Sequence, residues 1–202
     1  MKYRSTIAFG LFVVAFTLFG CATQRAGQAD AGWITLINGE KGLENWDRVA
    51  AANWRAADGA IVADRLGGKD PAYLVSKNAY RDFEIRAEFW VTSETNSGIF
   101  IRCADPQKIG AANCYEVNIW DTRPDPTYGT GAIVNVAKVS PMPRAGGRWN
   151  TYEITARGSR LTVKLNGVQT VDVSDSKLAG GAIALQYGSG IVKFRMVQIR
   201  PL

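Results

Sequence analysis

Few side chains in this sequence are suited to acid–base chemistry, because it contains no histidine. Without histidine there is no Ser-His-Asp or Cys-His triad and no histidine zinc site. Proton transfer must then rest on carboxylates, Lys, Tyr, Arg or a carboxylate-bound metal. The candidates are two carboxylates and one guanidinium from the middle of the chain, Glu116, Asp121 and Arg102. A carboxylate can take a proton, and a guanidinium can stabilise the anion that forms.

The alternation of apolar and polar residues predicts where these three side chains point. One strand has Ile99 and Ile101 on its inner side and Arg102 on its outer side, and a neighbouring strand carries Glu116 outward. Arg102 and Glu116 are therefore expected on one outer face, as parts of a site or only as a solvated cross-strand ion pair. Asp121 follows Glu116 by five positions, so it can join that face only by lying past the strand end.

The elements that must hold these residues are antiparallel strands. Residues 83–91 alternate apolar and polar side chains, which is typical of a half-buried strand. Asn166-Gly167 predicts a two-residue hairpin turn, and an uneven apolar step predicts a bulge near Arg195 and Met196. With 21 glycines and 7 prolines, the composition also favours strands and turns. We predict an all-β fold, a two-sheet antiparallel β-sandwich with few short helices, in which one curved outer face forms a cleft.

The first 32 residues are expected to lie outside this fold. Lys2 and Arg4 precede an apolar run over residues 5–20, which predicts a signal peptide over residues 1–20. The four residues that end at Cys21 resemble a bacterial lipobox, in which Cys21 would be acylated. Residues 21–32 would then be the acylated cysteine and a flexible tether, followed by a single domain over residues 33–202.

This N-terminus predicts an exported protein that is lipid-anchored in a bacterial cell envelope, at the periplasmic face or the outer membrane. Ordinary secretion without lipid is the alternative. Loss of Lys2 and Arg4 with the signal lowers the formal charge from +6 to +4. Because this charge is scattered and forms no basic cluster, we expect no nucleic-acid partner. The expected partner is the membrane, through the lipid.

The two remaining cysteines, Cys103 and Cys114, are an even number in an exported chain. They flank ten residues whose Gly, Pro and Asn suit a loop between adjacent antiparallel strands. We predict a disulfide between them, with two free thiols as the alternative. The alternation opposes this pairing, because it places Cys103 inward and Cys114 outward, so a bulge or twist is needed where the strands end.

Ten segments from Trp33 almost to Leu202 carry a resemblance to a known family. In chain order they are Leu36–Gly39 with Trp46, Trp54 with Asp58-Gly59, Asp82–Glu84, Asn96–Arg102, Tyr115–Asp121, Thr130–Ile133, Trp149–Tyr152, Leu165–Val168, Ile183–Gln186 and Phe194-Arg195. Together they resemble the DUF1080 or 3-keto-disaccharide hydrolase domain family, which implies a concanavalin-like jelly roll. The resemblance also implies cleavage of 3-keto-glycosides by 1,2-elimination and hydration of the resulting 3-keto-2-hydroxy-glucal. Many members carry a histidine after the position of Asp121, where this chain reads Thr122-Arg123-Pro124-Asp125-Pro126.

Such a reaction needs a base near C2 of the sugar, a cation or donor at the C3 oxygen and an acid for the leaving oxygen. We predict Glu116 as the general base or a metal ligand and Arg102 as the group that polarises the keto or enolate oxygen. Asp121 is predicted to assist as acid or ligand. The reaction requires no particular cofactor, and a divalent metal held by these carboxylates is one option.

Further residues are expected to bind the sugar, because a pyranose ring stacks on aromatic planes and its hydroxyls bond to polar side chains. The predicted set is Asn96, Trp90, Phe100, Asn118, Trp120, Arg123, Lys138 and Gln186. The other four tryptophans, Trp33, Trp46, Trp54 and Trp149, are expected to close the edges of the sandwich. For the polar members of the set, a turn or a solvated surface position is the alternative.

Three classes of function follow from these observations. We favour a carbohydrate-processing hydrolase or lyase over a non-catalytic lectin-like carbohydrate-binding module and over a structural lipoprotein of the envelope. A carboxylate with a shifted pKa would favour the enzyme, whereas aromatic platforms with neutral donors would be enough for the binding module.

Overall fold

The computed structural model describes residue 1 and residues 31–202. The predicted signal peptide, Cys21 and most of the predicted tether therefore lie outside the described residues. Residues 32–202 form one unit that contains thirteen strands and two short 3-10 turns. Within the described part of the chain, no helix is long and apolar enough to cross a membrane.

The strands are numbered in chain order. They are β1 (Ile34–Asn38), β2 (Trp46–Val49), β3 (Arg55–Ala57), β4 (Ala60–Ala63), β5 (Ala72–Tyr80), β6 (Phe83–Val91), β7 (Asn96–Cys103), β8 (Tyr115–Ile119), β9 (Trp149–Arg157), β10 (Arg160–Leu165), β11 (Val168–Ser174), β12 (Gly181–Ser189) and β13 (Val192–Pro201). The 3-10 turns are η1 (Leu43–Asn45) and η2 (Pro126–Tyr128). As predicted, β6 buries every second residue, because successive side chains of a strand point to opposite faces.

Eight strands form one antiparallel sheet in the order β11-β10-β9-β6-β13-β4-β3, with β1 also paired to β13. Between β10 and β11, Asn166 and Gly167 have φ values of 53° and 80°, as a two-residue hairpin turn requires. The predicted bulge in β13 is confirmed. Its register to β6 shifts between Phe194 and Met196, so Arg195 is the extra residue.

The other five strands form a second antiparallel sheet in the order β2-β5-β12-β7-β8. The predicted pairing of β7 with β8 is confirmed, with Phe100 opposite Glu116. The long segment after β8 extends this sheet edge, because the N–H of Val134 donates to the Glu116 carbonyl at 3.0 Å.

The apolar sides of the two sheets face each other and form the core. In its centre the rings of Phe89 and Tyr152 stack with centroids 5.0 Å apart, and both side chains are buried. Trp46 and Trp54 are also buried there. The prediction of an all-β, two-sheet antiparallel sandwich with few short helices is confirmed.

Cys103 and Cys114 are joined by a disulfide, as predicted, with their Cα atoms 4.3 Å apart. Both are buried on the outer side of the five-stranded sheet, in a small apolar cluster that includes Phe100. The disulfide closes the loop that joins β7 to β8.

A bulge in β7 allows this pairing. Strand β12 places Ala184 opposite Phe100 but Ala182 opposite Cys103, so two residues of β7 oppose a single residue of β12. The second of these two is Arg102, which has a positive φ of 53°. The extra residue reverses the alternation and brings Cys103 to the outer side of the sheet.

Candidate functional site

The outer side of the five-stranded sheet carries a group of side chains in two neighbouring rows. Register partners across the sheet are Tyr73, Gln186, Gly98 and Asn118 in one row, and Val75, Ala184, Phe100 and Glu116 in the next. Because strand residues two apart point to the same side, both rows face away from the core. We call Tyr73, Phe100, Glu116, Asn118 and Gln186 the Glu116 face.

Glu116 is the acidic member of this group. It is only partly exposed, and burial raises the pKa of its carboxyl from 4.5 to about 7 against the opposing effect of the Arg123 charge. No donor among the described residues compensates the carboxylate by a hydrogen bond. A carboxyl with a pKa near 7 can both accept and return a proton at neutral pH.

Tyr73 belongs to the same group, although the sequence did not single it out. Residues 72–76 of β5 are all buried, so they show no alternation that would separate a functional side from a core side. The Tyr73 ring meets Phe100 edge-on, with centroids 5.5 Å apart. Burial raises the pKa of the Tyr73 phenol, a hydrogen bond with Gln186 opposes this rise, and the charge of Glu116 adds to it. The phenol, the amide and the carboxyl therefore share one environment.

Two amide oxygens at this face lack a partner. Asn118 Oδ1 and Gln186 Oε1 are buried and accept no hydrogen bond from the described residues. The Asn118 amide nitrogen is held, since it donates to the carbonyl of Tyr128 at 2.7 Å. Gly98 separates the two amides, and a Cβ at that position would lie 3.5 Å from Gln186 Oε1. Because unpaired buried acceptors are costly, these oxygens are suited to hydroxyl donors of a ligand.

Trp120 and Arg123 follow the end of β8, the strand that carries Glu116. The guanidinium carbon of Arg123 lies 5.3 Å from the centroid of the Trp120 ring, a cation–π contact. Trp120 Nε1 donates to Thr122 Oγ1 at 3.1 Å, which orients the ring. The positive charge of Arg123 acts on Glu116, where it opposes the rise in pKa. This arrangement keeps a cation beside the carboxyl.

The predicted outward position of Arg102 is wrong. The bulge turns the side chain into the molecule, where it is 1% exposed. Its guanidinium donates to the carbonyl oxygens of Arg81, Gly158 and Leu178 at 2.7–3.1 Å and to Asp82 Oδ1 at 3.1 Å. Arg102 therefore ties three connecting segments together, and its ion pair is with Asp82 rather than with the predicted carboxylate. Its donors are not directed at the Glu116 face.

Asp121 does not join Glu116 either. Its carboxylate is 6% exposed and accepts hydrogen bonds from Thr130 Oγ1 at 2.6 Å, from the N–H of Ala145 at 2.9 and 3.0 Å, and from the N–H of Gly146 at 2.9 Å. These bonds hold the long loop between β8 and β9 against the strand end. The structure thus gives Asp121 a loop-holding position in place of the predicted acid or ligand.

Three other predicted sugar-binding residues lie elsewhere or at the margin. Trp90 is on the outer side of the eight-stranded sheet, where a lysine ammonium lies 5.6 Å from its ring centroid, so it is not part of the Glu116 face. Lys138 lies in the loop after β8, against a tyrosine ring 5.6 Å away. Asn96 begins β7 beside Gly188 of β12. Of the predicted set, the structure brings Phe100, Asn118 and Gln186 together with Glu116.

Within residues 31–202, no three His, Cys, Asp or Glu side chains lie together as metal ligands. Asp121, the second carboxylate predicted to hold a metal, instead accepts hydrogen bonds from Thr130 and from loop N–H groups. The predicted pair of carboxylates is therefore not assembled at this face.

Solved structures of similar fold include proteins connected with carbohydrates. A proposed glycosyl hydrolase from Parabacteroides distasonis has a TM-score of 0.67 at 24% identity, over 84% of this chain and 99% of that chain. A Bacillus subtilis protein of unknown function with a galectin-like fold has a TM-score of 0.61 at 8% identity, over 81% and 92%. The Bacillus subtilis carbohydrate-binding module CBM66 has a TM-score of 0.51 at 15% identity, over 84% and 95%. At these identities the likeness shows the shared sandwich fold alone.

Comparison with curated protein sequences gives no match. A family model does match, over residues 32–200, and it describes a 3-keto-alpha-glucoside-1,2-lyase-like domain. The matched span includes every residue of the Glu116 face, and it confirms the family that the sequence motifs indicated. This chain belongs to the family of 3-keto-alpha-glucoside-1,2-lyase-like domains.

Proposed function

We propose that this protein is a carbohydrate-processing enzyme that cleaves 3-keto-glycosides, with Glu116 as the base that removes the proton from C2. The observation that carries the proposal is a desolvated carboxyl on the outer side of a sheet, with its pKa raised to about 7. Membership of the lyase-like family and a fold shared with a proposed glycosyl hydrolase support the same class of reaction.

The reaction uses the acidity that a ketone confers on the neighbouring carbon. Loss of the C2 proton gives an enolate whose negative charge rests largely on the C3 oxygen. The aglycone then leaves from C1 with the bonding electron pair, which produces the 3-keto-2-hydroxy-glucal. Addition of water across the new C1=C2 double bond gives the free 3-keto sugar. The sequence of steps needs a base, an acid and a cation, but no nucleophilic side chain.

Glu116 suits both proton transfers. As a carboxylate it takes the C2 proton in the elimination, and as a carboxylic acid it returns a proton to C2 in the hydration. A pKa of about 7 populates both forms near neutral pH, which an exposed glutamate does not do.

Arg123 replaces Arg102 as the cation of the proposed site. Its charge already acts on Glu116, and its contact with the Trp120 ring keeps it at the end of β8. A guanidinium beside the base can stabilise the enolate oxygen as negative charge moves there from the carboxylate. In this proposal Trp120 also offers an aromatic edge to the sugar ring.

Release of sugar from a panel of 3-keto-glucosides, with and without a chelator, tests the proposal. The wild-type protein should release the aglycone, and Glu116→Gln should slow turnover at least about 100-fold, because the amide cannot take a proton. Glu88→Gln is the matched control, since Glu88 is a strand glutamate on the other sheet that pairs with Arg195. It should keep the wild-type rate. Equal rates for wild type and Glu116→Gln would contradict the assignment of the base.

A non-catalytic carbohydrate-binding module is the second candidate. The fold shared with CBM66 favours it, together with the Phe100 ring of the Glu116 face and the Trp120 ring that follows β8. A binding module would bind the glycoside without releasing sugar and would retain binding in Glu116→Gln. Loss of binding in Trp120→Ala, with no turnover by the wild type, would support this candidate over the enzyme.

We also propose that the protein is exported and lipid-anchored through Cys21, at the periplasmic face or the outer membrane. This proposal rests on the N-terminal sequence, whose charged start, apolar run and Cys21 resemble a lipoprotein signal. Cys21→Ser should abolish lipid labelling and either move the protein to the soluble fraction or leave it unprocessed. Unchanged membrane partition of the variant would argue against the anchor.

A further inference from the structure

Tyr73 and Glu116 lie on opposite sides of the Glu116 face, on strands β5 and β8. Tyr73 lies on β5 and Glu116 on β8, with β12 and β7 between them, so their backbones are roughly 14 Å apart at the usual strand spacing. The Tyr73 side chain spans part of this gap, because its ring contacts Phe100 on β7 with centroids 5.5 Å apart. The intervening β12 places Gln186 opposite Tyr73 and the small side chain of Ala184 opposite Phe100, and the methyl group of Ala184 leaves room for the Tyr73 ring to reach Phe100.

Two neighbours define the surroundings of the Tyr73 hydroxyl. Gln186 lies directly opposite Tyr73 on β12, and the negative charge of Glu116 contributes to the raised pKa of the phenol. The phenol and the carboxyl can thus act on one sugar ring from two sides. The two atoms that exchange protons in the proposed elimination, C2 and the glycosidic oxygen on C1, belong to neighbouring positions of that ring.

One side chain of the Glu116 face remains that can supply the second proton, which the glycosidic oxygen needs when the aglycone leaves. Phe100 has no exchangeable proton, and the amides of Asn118 and Gln186 do not release theirs. Glu116 is engaged as the base. Tyr73 carries the remaining hydroxyl, and burial keeps it protonated at neutral pH by raising its pKa above the ordinary 10.0.

We infer that Tyr73 is the general acid of this site and gives its proton to the glycosidic oxygen as the C1–O bond breaks. The inference rests on the proposed function, because Glu116 must first start the elimination. In that step the C2 proton passes to Glu116, the electron pair of the C2–H bond forms the C1=C2 bond through the enolate, and the C1–O pair leaves with the oxygen. The oxygen takes the Tyr73 proton, so the aglycone departs as a neutral alcohol and Tyr73 becomes a phenolate.

Hydration restores both groups. The Tyr73 phenolate takes a proton from water, and the resulting hydroxide adds to C1. The Glu116 carboxylic acid returns its proton to C2. The sum of the two steps is glycoside plus water giving 3-keto sugar plus alcohol, and both side chains end in their starting protonation states.

This acid role predicts how loss of the phenol depends on the leaving group. A sugar alcohol is a poor leaving group without a proton, whereas a nitrophenolate leaves readily without one. Removing the Tyr73 hydroxyl should therefore slow cleavage of a glycoside whose leaving group is a sugar far more than cleavage of a nitrophenyl glycoside.

Tyr73→Phe, assayed on two substrates, tests the inference in the full-length protein. The substrates are maltose oxidised to the ketone at C3 of its non-reducing ring, and the 4-nitrophenyl 3-keto-α-glucoside. The variant removes one oxygen atom and should slow release of glucose from the disaccharide at least about 100-fold, with less than about a threefold loss on the nitrophenyl substrate. Tyr80→Phe is the matched control, because Tyr80 lies on the same strand and is likewise 9% exposed. It should behave as wild type on both substrates.

The outcomes separate the inference from the proposed function. Wild-type turnover with an undiminished Tyr73→Phe rate on the disaccharide overturns the role of Tyr73 alone, and so does an equal loss on both substrates. A wild-type protein that turns over neither substrate overturns the proposed function, and the acid role with it. A selective loss on the disaccharide, with the nitrophenyl rate retained, supports the inference.

Discussion

The carboxylates on the two outer faces of this sandwich have different surroundings. On the eight-stranded sheet, carboxylates have cationic partners, with Glu88 beside Arg195, Glu84 beside Arg200 and Asp172 beside Arg160. On the five-stranded sheet, Glu116 lies among an aromatic ring and two amides without a hydrogen-bond donor, and its pKa rises to about 7. Exposed ion pairs of this kind contribute about 0–1 kcal/mol each to folding stability and are typical of a solvated surface. The second face keeps a carboxyl in a state that costs stability, which is typical of a functional site.

The pH dependence of turnover should separate the two faces most strongly. Glu116 must be ionised to take the C2 proton, so kcat/KM should fall about tenfold for each pH unit well below about 7, or about 50-fold between pH 7 and pH 5. Glu88→Gln should show the same acid limb, because its carboxyl belongs to the other face. A wild-type profile that stays flat from pH 5 to pH 8 would exclude Glu116 as the base.

Removal of a glutamate charge should change the free energy of unfolding in opposite directions on the two faces. The folded state raises the pKa of Glu116 from 4.5 to about 7, so it binds this proton more tightly than the unfolded chain does. The associated stability is full below pH 4.5 and is lost as the pH rises through about 7. At pH 8, Glu116→Gln should therefore increase the free energy of unfolding by roughly 2 kcal/mol, and this gain should vanish at about pH 4.

Urea unfolding at both pH values measures this difference. Glu88→Gln should instead leave the free energy of unfolding unchanged or lower it by up to about 1 kcal/mol, because it removes an ion pair with Arg195. If Glu116→Gln proved less stable than wild type at pH 8, Glu116 would be a structural group and the contrast between the faces would disappear.

The smallest expected contrast is in sugar binding by tryptophan variants. Trp120 follows β8 and its ring centroid lies 5.3 Å from the guanidinium carbon of Arg123, whereas Trp90 lies on the eight-stranded sheet. In a Glu116→Gln background, which prevents turnover, Trp120→Ala should weaken binding of a 3-keto-glucoside about fivefold, since an aromatic contact contributes about 1 kcal/mol. Trp90→Ala should leave the affinity unchanged. Calorimetric titration measures both, and an equal loss from the two variants would place the sugar elsewhere.

Much of the fold could be read from short-range patterns. The alternation in β6 and β8, the Asn166-Gly167 turn and the bulge at Arg195 are each encoded within a few residues, because side-chain direction in a strand has a period of two. The outward direction of Glu116 and Asn118 follows from the same rule. The family followed from the order of ten short motifs.

The predictions for the site failed where the pattern along the chain does not reveal the surroundings of a residue in the folded structure. One bulge residue reversed the alternation at Arg102; the opposed directions of Cys103 and Cys114 called for a bulge or twist at the strand end but did not locate it at Arg102. Tyr73 was missed because its strand is buried on both sides and shows no alternation. In both cases the deciding contact comes from a different strand or turn.

Sequence alone was sufficient for the all-β class, the two faces of strands with clear alternation such as β6, the cysteine pair and the family, since these follow from patterns along the chain. Only the folded structure determines which polar groups have hydrogen-bond partners. Arg102 meets carbonyl oxygens 21, 56 and 76 positions away, and the carboxylate of Asp121 meets N–H groups 24 and 25 positions away. Glu116 has no such partner among the described residues, so burial raises the pKa of its carboxyl without an opposing hydrogen bond. A proton affinity is set by hydration, charge and hydrogen bonds within a few ångströms, and folding brings those neighbours together from distant parts of the chain.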